Sequence, residues 1–543
     1  MKTAELVGQA LVEAGIDHVF GVVGSGNFDV TDAMVRAGAT YVAARHEGGA
    51  ATMADAYARM SGGIAALTVH QGCGLTNAMT GITEAAKSRT PMVVLAAEAT
   101  QPLSNFYVDQ AALAEAVGAV SIRLDDSAAA RHTARIAVHN ALADRRVVLL
   151  NLPLEVQESD APEQVETPAS VATVRDSSAP AETDVRRLAD VLQTAQRPVF
   201  VAGRGSRGPG CREALEALAE QCGALLATSA VAKGLFNGNP WSLDVSGGFA
   251  SPLTAELIKG ADLIVGWGCA LNMWTMRHGR LIADDATVVQ VDLDADALGA
   301  HRDIAFGVVG DVRQTAEAVS GRIGGDGLPG YRTDRLRDDI AANVLWRDVP
   351  YDDAGTDERI DPRTLCLALD ELLPTERVVG VDSGNFMGYP SMFLRVPDEF
   401  GFCFTQAFQS IGLGLATTIG AALARPDRLP VAALGDGGAL MSAAELETVV
   451  RLGIPMVVVV FNDQAYGAEV HHFRGRPLDS VTFPDTDFAA IGRGYGYDAI
   501  TVRNRDDLAP VADWVATRSK PLLIDAKVVA DEPSWWLSEA FGH

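Results

Sequence analysis

Asp436 and Asp463, 27 residues apart, are the two side chains whose setting most directly suggests chemistry. The stretch VAALGDG is an apolar strand ending in Gly435-Asp436-Gly437, with Gly438 following. A helical pattern comes next, and the second apolar strand, MVVVVF, delivers Asn462-Asp463-Gln464. Two parallel strands joined by a helix place both C-terminal ends on one edge of a sheet, the edge where open α/β folds bind ligands. Two carboxylates there suit a hard cation such as Mg²⁺, with Ca²⁺ or Mn²⁺ as substitutes. Such a cation completes its shell with a phosphorylated partner and water. The flanking glycines let a diphosphate approach the backbone closely.

Length and composition set the frame for these residues. At 543 residues the chain is too long for one core. Its 48% hydrophobic and 21% charged residues describe an ordinary globular protein. A net charge of −26 argues against nucleic acid or an anionic membrane as partner and reads as a solvated acidic surface. Six cysteines (Cys73, Cys211, Cys222, Cys269, Cys366 and Cys403) lack metal-type spacing and fit reduced thiols in a cytoplasmic protein. The N-terminus reads as an amphipathic helix running into a strand, without the apolar run of a signal peptide, and no segment is apolar enough to span a membrane.

Two composition breaks, Glu158 to Asp184 and about Gly321 to Asp361, divide the chain; the second carries a helix in its middle. The expected domains cover 1–160, 185–325 and 355–543. Each alternates short apolar runs with helical patterns, so the expected class is α/β, with three doubly wound parallel sheets. In the middle segment Gly203-Arg204-Gly205-Ser206-Arg207-Gly208 follows the strand PVFVAG and forms a GxGxxG. The acidic ribose partner expected after the next strand is missing, so the segment reads as a tight turn in a Rossmann-like domain.

GDG, a helix, a buried strand and an Asn/Asp pair together resemble the diphosphate- and magnesium-binding motif of thiamine diphosphate enzymes. RHEGGAATMADAYAR, VFGVVGSGNFDV, VHQGCGLTNAMTGI and FTQAFQSIGLGLATTIGAALA resemble further segments of that superfamily, which includes 2-oxo acid decarboxylases, acetohydroxyacid synthases and benzaldehyde lyase. The resemblance implies a pyrimidine-binding first domain, a Rossmann-like middle and a diphosphate-binding third. The cofactor would lie between the first domain of one subunit and the third of its partner, in a homodimer or homotetramer. Related enzymes sometimes hold FAD or ADP in the middle domain; neither is expected here.

Site residues follow from the same resemblance. Glu47 corresponds to the carboxylate that drives the cofactor pyrimidine to its imino tautomer. His70 occupies the place of a proton-shuttling His in benzoylformate decarboxylase. Ser25 either binds a substrate carboxylate or satisfies its own turn. Gln110 matches a Gln that holds a carbonyl or hydroxyl, and Glu469 matches the catalytic Glu of pyruvate decarboxylase. Ile411 is the wedge that bends the cofactor, and the Gln409 carbonyl accepts from the aminopyrimidine. Gly435, Asp436, Gly437, Gly438, Asp463, Ala465 and Tyr466 surround the diphosphate, with Asp436, Asp463 and the Ala465 carbonyl on the metal. The motif departs from its usual form at Asp463, commonly Asn, and at Val23, commonly Pro. Ala468 marks a roomy donor pocket. Trp274, Arg277 and His278, the pair His471 and His472, and the tail residues Trp535 and Trp536 are candidate walls or lids.

The implied reaction is decarboxylation of a 2-oxo acid to an enamine, then protonation to an aldehyde or ligation to an acyloin. Ser25, His70 and Glu469 favour the first outcome, Gln110 and Ala468 the second. An acetohydroxyacid synthase-type transferase, an acyloin lyase and a catalytically silent cofactor-binding homologue are the alternatives.

Overall fold

The computed structural model describes residues 1–161, 179–324, 327–530 and 534–537; most of the first predicted connection lies outside the described residues. Three six-stranded sheets result, and their strand pairings are all parallel. The first sheet takes His18–Gly21, Thr40–Ala43, Ala65–Val69, Met92–Glu98, Val120–Arg123 and Val147–Pro153 in the order 2-1-3-4-6-5. The third takes Arg377–Val381, Phe402–Phe404, Leu429–Gly435, Val457–Asn462, Asp498–Val502 and Leu522–Lys527 in the same order. The middle sheet, from Pro198–Ala202 to Phe306–Val309, has order 3-2-1-4-5-6, the arrangement of a Rossmann domain.

These strands are nearly continuous runs of apolar residues because both faces of each sheet are covered. In the first sheet Phe20, Leu67 and Val94 point into one core, while Val19, Ala66 and Val93 point into another. The first of these cores also takes Ala432, Leu434, Val458 and Val460 from the third sheet. One hydrophobic layer thus joins two domains. Its centre is the packing of helix Glu47–Ser61 on helix Gly414–Ala424, both rich in alanine and glycine, which lets their axes approach closely. The second connection does carry a helix, Asp334–Asn343, which buries Ile340 against the middle domain.

A buried ion cluster ties the same two domains. Arg59, near the end of the first of these helices, pairs with Asp55 (2.5 Å) and Glu84 (2.8 Å). Glu84 in turn accepts from the backbone N–H groups of Ala407 and Phe408. Both carboxylates lie near one guanidinium, which holds Arg59 firmly protonated against its burial. The cluster fixes the start of the loop that carries Gln409 and Ile411.

At Gly420 a Cβ would fall 2.2 Å from the carbonyl oxygen of Met53. Gly420→Ala should therefore destabilise the protein by about 1–3 kcal/mol despite the better helix propensity of alanine. A shift of the denaturation midpoint reads this; an unchanged or raised midpoint would contradict the close helix contact.

Candidate active site

Strands Leu429–Gly435 and Val457–Asn462 are neighbours, with Gly435 opposite Phe461. Asp436 and Asp463 therefore emerge side by side at the C-terminal edge. Strand Arg377–Val381 lies on the other side of Leu429–Gly435, where the strand order reverses. This is the topological switch point, where such sheets bind ligands. Asp436 accepts from the N–H of Gly437 at 2.8 Å, and Asp463 from that of Ala465 at 3.3 Å.

Burial raises both acids, Asp436 to about 6 and Asp463 to about 7, and the negative charge of Asp436 adds to the rise at Asp463. Two carboxylates that disfavour each other's ionisation are what a divalent cation relieves. The carbonyl of Ala465 accepts no hydrogen bond among the described residues and is free to join them. No cluster of three or more His, Cys, Asp or Glu side chains suited to a metal occurs among the described residues. A cation here would thus need oxygen from a bound phosphate as well. These residues fit a metal–diphosphate group.

The surrounding turns are held under strain. Gln409 and Gln464 both adopt left-handed backbone, at φ 60° and 64°, a conformation that costs non-glycine residues about 1–3 kcal/mol. Asp382, at the end of Arg377–Val381, pins the loop after Gln409 by accepting from the N–H groups of Gly412 (3.0 Å) and Leu413 (3.2 Å). Burial lifts its carboxyl to about 6 against the pull of these donors. Ile411 is thereby fixed, half-buried, beside the GDGG turn. Tyr466 lies over Gly437, where a Cβ would meet its ring at 2.4 Å, and its edge meets Phe483.

The first domain presents its own set. Glu47 opens helix Glu47–Ser61 and accepts from Asn77 Nδ2 at 3.0 Å. His46 caps that helix. His70 lies against the Ser25 turn, and its Nδ1 accepts from the N–H of Gly26 at 3.3 Å. That bond places the proton of a neutral ring on Nε2. Phe106 meets the same ring edge-on at 5.4 Å. Gln110 is buried, donates to the carbonyl of Ala97 at 2.8 Å, and its Oε1 has no partner among the described residues. Ser25 and Glu469 are exposed. Within the chain Glu445 accepts from the N–H groups of Arg45 and His46, both at 3.0 Å, which anchors the approach to Glu47. Among the described residues no hydrogen bond joins Glu47 or His70 to Asp436 or Asp463.

The candidate lid segments do meet. The Arg277 guanidinium stacks 4.7 Å from the Trp535 ring and donates to the carbonyls of Gly247 and Ala250. Trp274 packs on Phe249. Trp536 is buried against Gly388 and Tyr389, and the N–H of Ser534 donates to Asn385 Oδ1. The tail is thus seated beside the Asp463 edge, where Asn385 packs near Gly467. His471 and His472 lie on the short helix Gly467–His472 that carries Ala468 and Glu469. In the middle domain Gly205 donates to the carbonyl of Gly268 (3.0 Å), and a Cβ on Gly268 would meet Gly205 at 2.5 Å. These glycines serve a loop–loop contact. Arg204 reaches the carbonyl of Ser88 in the first domain across a cavity of ≈ 300 Å³.

Three family models match in order along the chain: the N-terminal binding domain of thiamine pyrophosphate enzymes at residues 1–120, their central domain at 185–319, and their C-terminal binding domain at 382–526. The chain belongs to the thiamine diphosphate enzymes. It is 31% identical over 523 residues to a probable 2-ketoarginine decarboxylase of Pseudomonas aeruginosa, covering 92% of this chain and 89% of that one. It is 28% identical to the sulfoacetaldehyde acetyltransferase of Alcaligenes xylosoxydans xylosoxydans, covering 94% and 89%. The fold matches the thiamine diphosphate-dependent 4-hydroxybenzoylformate decarboxylase of Rhodococcus jostii RHA1 with a TM-score of 0.82 at 22% identity, covering 98% of this chain and all of that one.

Within this thiamine diphosphate enzyme, Asp382, Asn385 and the Arg59 cluster escaped the reading of the sequence. VDSGN at a strand end was a usable signal for the first two. The cluster left none, since the backbone that Glu84 holds, at Ala407 and Phe408, is far from it in sequence.

Asp436 and Asp463 both titrate above an unfolded aspartate, at about 4. Their ionisation therefore favours the unfolded chain, and the protein loses stability as pH rises from about 4 through 7. Metal-free Asp463→Asn should melt above the wild type at about pH 7.5, and the gap should close near pH 4. Thermal melts at both values check this. A variant that melts lower at the higher pH would contradict the repulsion.

Proposed function

We propose that the enzyme binds thiamine diphosphate and Mg²⁺ and acts on 2-oxo acids, releasing CO₂ and passing the remaining acyl unit to a proton or to a carbonyl acceptor. The observation that carries this is the pair Asp436 and Asp463, side by side on neighbouring strand ends next to the switch point, with raised proton affinities. On this reading residues 1–160 bind the pyrimidine, 185–325 form the middle domain and 355–543 bind the diphosphate. The bound cofactor supplies an electron sink for the electron pair left by CO₂ loss.

The side chains have distinct tasks. Asp436, Asp463 and the Ala465 carbonyl would hold the cation, while Gly435, Gly437 and Gly438 leave the diphosphate room. Glu47, whose one hydrogen-bond partner among the described residues is Asn77, would hold a proton at the pyrimidine ring. Ile411 and the Gln409 carbonyl would orient the rings, and Tyr466 would close the diphosphate turn. His70 presents Nε2–H to the substrate side and can give or take a proton there. Ser25 would receive the substrate carboxylate, and Glu469 would return a proton at the end of the reaction. A partner chain is supported by the exposed apolar side chains Phe28, Phe106, Phe408, Leu440 and Met441 around these edges, and by the lack of a direct Glu47–Asp436 link within one chain. A homodimer or homotetramer would bring the two faces together.

A second reading, acyl transfer or ligation of the acetohydroxyacid synthase type, or the reverse cleavage of an acyloin, is favoured by Gln110. Its buried Oε1 has no donor among the described residues and would accept from a hydroxyl of an acceptor or product. The similarity to a sulfoacetaldehyde acetyltransferase supports the same reading. A silent cofactor-binding homologue is opposed by the intact Glu47.

The test is a panel of aliphatic and aromatic 2-oxo acids, with and without aldehyde acceptors, followed by CO₂ release and acyloin formation. Turnover should require the cofactor and metal and fall by about 10²–10⁴-fold in Glu47→Gln. Full turnover in that variant would sink the mechanism. Products formed only with an acceptor would favour the second reading.

A further inference from the structure

The chain is strongly acidic overall, yet one cleft between the middle and third domains is cationic. It has a volume of ≈ 540 Å³, and Lys233, Arg347 and Arg395 line it. The guanidinium groups of Arg347 and Arg395 converge on one buried carboxylate, Asp370, at 3.4 and 2.7 Å. Fully buried Arg377 takes the same carboxylate at 2.8 Å. Three guanidinium groups thus share a single negative charge. Two donors of Arg377, Nε and Nη1, have no acceptor among the described residues.

Lys233, only 4% exposed, adds a fourth cation. Its ammonium donates to the carbonyl of Ser391 and faces the ring of Phe402, and among the described residues no carboxylate pairs with it. Burial accordingly pushes its pKa down. Two carboxylates do lie on the wall, Asp244 and the exposed Glu376. With Asp370 and Arg377 behind the wall included, the cluster holds four cations and three anions, and the wall itself three cations and two anions. Lys233 is buried without a carboxylate and Arg347 and Arg395 reach the open cleft, a set of cations in excess that favours an anion.

We propose that this cleft binds a small organic phosphate, its phosphate held by Lys233, Arg347 and Arg395. Arginine forks match phosphate oxygens in pairs, and a phosphate has oxygens enough to engage both guanidinium groups and the ammonium at once, which a single carboxylate does not. The volume exceeds what an inorganic oxyanion fills, and Ile340, Val344 and Met392 give the organic portion an apolar wall. The cleft is separate from the active site. Thr375 and Glu376 precede strand Arg377–Val381, whose far end carries Asp382, and five strand residues span about 17 Å. Helix Gly388–Phe393 runs between the two, with Trp536 seated on its first turn and Lys233 bound at Ser391.

Calorimetric titration of the holoenzyme, saturated with thiamine diphosphate and Mg²⁺ so that the diphosphate site is filled, tests this with glycerol phosphate and inorganic phosphate at matched ionic strength. Saturable binding of glycerol phosphate, one per chain and tighter than inorganic phosphate, is expected. Arg347→Gln removes the most distant of the three arginines from Asp370 and leaves the other two in place, so the fold should survive; it should weaken binding about tenfold. Glu376→Gln removes a repelling charge and should tighten binding about threefold. No saturable binding, inorganic phosphate binding as tightly as the ester, or equal affinity in all three proteins would each overturn the proposal.

Discussion

Two carboxylates that repel each other are held together because the strands that carry them are hydrogen-bonded neighbours. Asp436 and Asp463 cannot separate without breaking the pairing of Leu429–Gly435 with Val457–Asn462, and that pairing lies between two hydrophobic cores. The sheet therefore stores an electrostatic demand at its edge. Around it Asp382 fixes the Ile411 loop and Tyr466 covers the glycine turn. Gln409 and Gln464 hold a strained backbone that only a rigid surround maintains. On the proposed reading a cation and a phosphate are the complement of this edge.

Glu47 and His70 belong to a domain with the same strand order as the one bearing the two aspartates. One hydrophobic layer and the Arg59–Asp55–Glu84 cluster lock the pair into a single body. The lock has a direct chemical consequence, because Glu84 holds the backbone of Ala407 and Phe408, just ahead of Gln409. A carboxylate of the first domain thus positions the loop of the third. The middle domain contributes differently. Its Arg277 braces the C-terminal Trp535 at the rim of the same edge, and Trp274 packs on Phe249 beside it.

Local pattern made much of this legible. Runs such as PMVVVVF are too uniformly apolar for a half-exposed strand, so parallel sheets covered on both faces followed from residue types alone. The spacing of Asp436 and Asp463 needed only the length of one helix and one strand. Long-range polar contacts were not legible. Glu84 reaches residues more than 320 positions away, and nothing near it in the chain distinguishes it from a solvated helix glutamate. Arg377 and Asp370 look like surface residues in sequence and are buried in the fold. The GxGxxG at 203–208 shows the opposite case, a pattern with two physical causes. Gly203 and Gly205 are required by the approach of the Gly268 loop, which a one-dimensional motif cannot distinguish from the approach of a diphosphate.

The central claim is that Asp436 and Asp463 complete themselves with a divalent cation and the diphosphate of the cofactor as one unit. Binding of thiamine diphosphate to metal-stripped protein, followed by tryptophan fluorescence while Mg²⁺ is varied, tests it most directly. The account predicts that cofactor affinity rises steeply with Mg²⁺ in the wild type. In Asp436→Ala, that dependence should vanish and affinity should fall by about a hundredfold or more. Tight cofactor binding that is indifferent to Mg²⁺, or unchanged in Asp436→Ala, would contradict it.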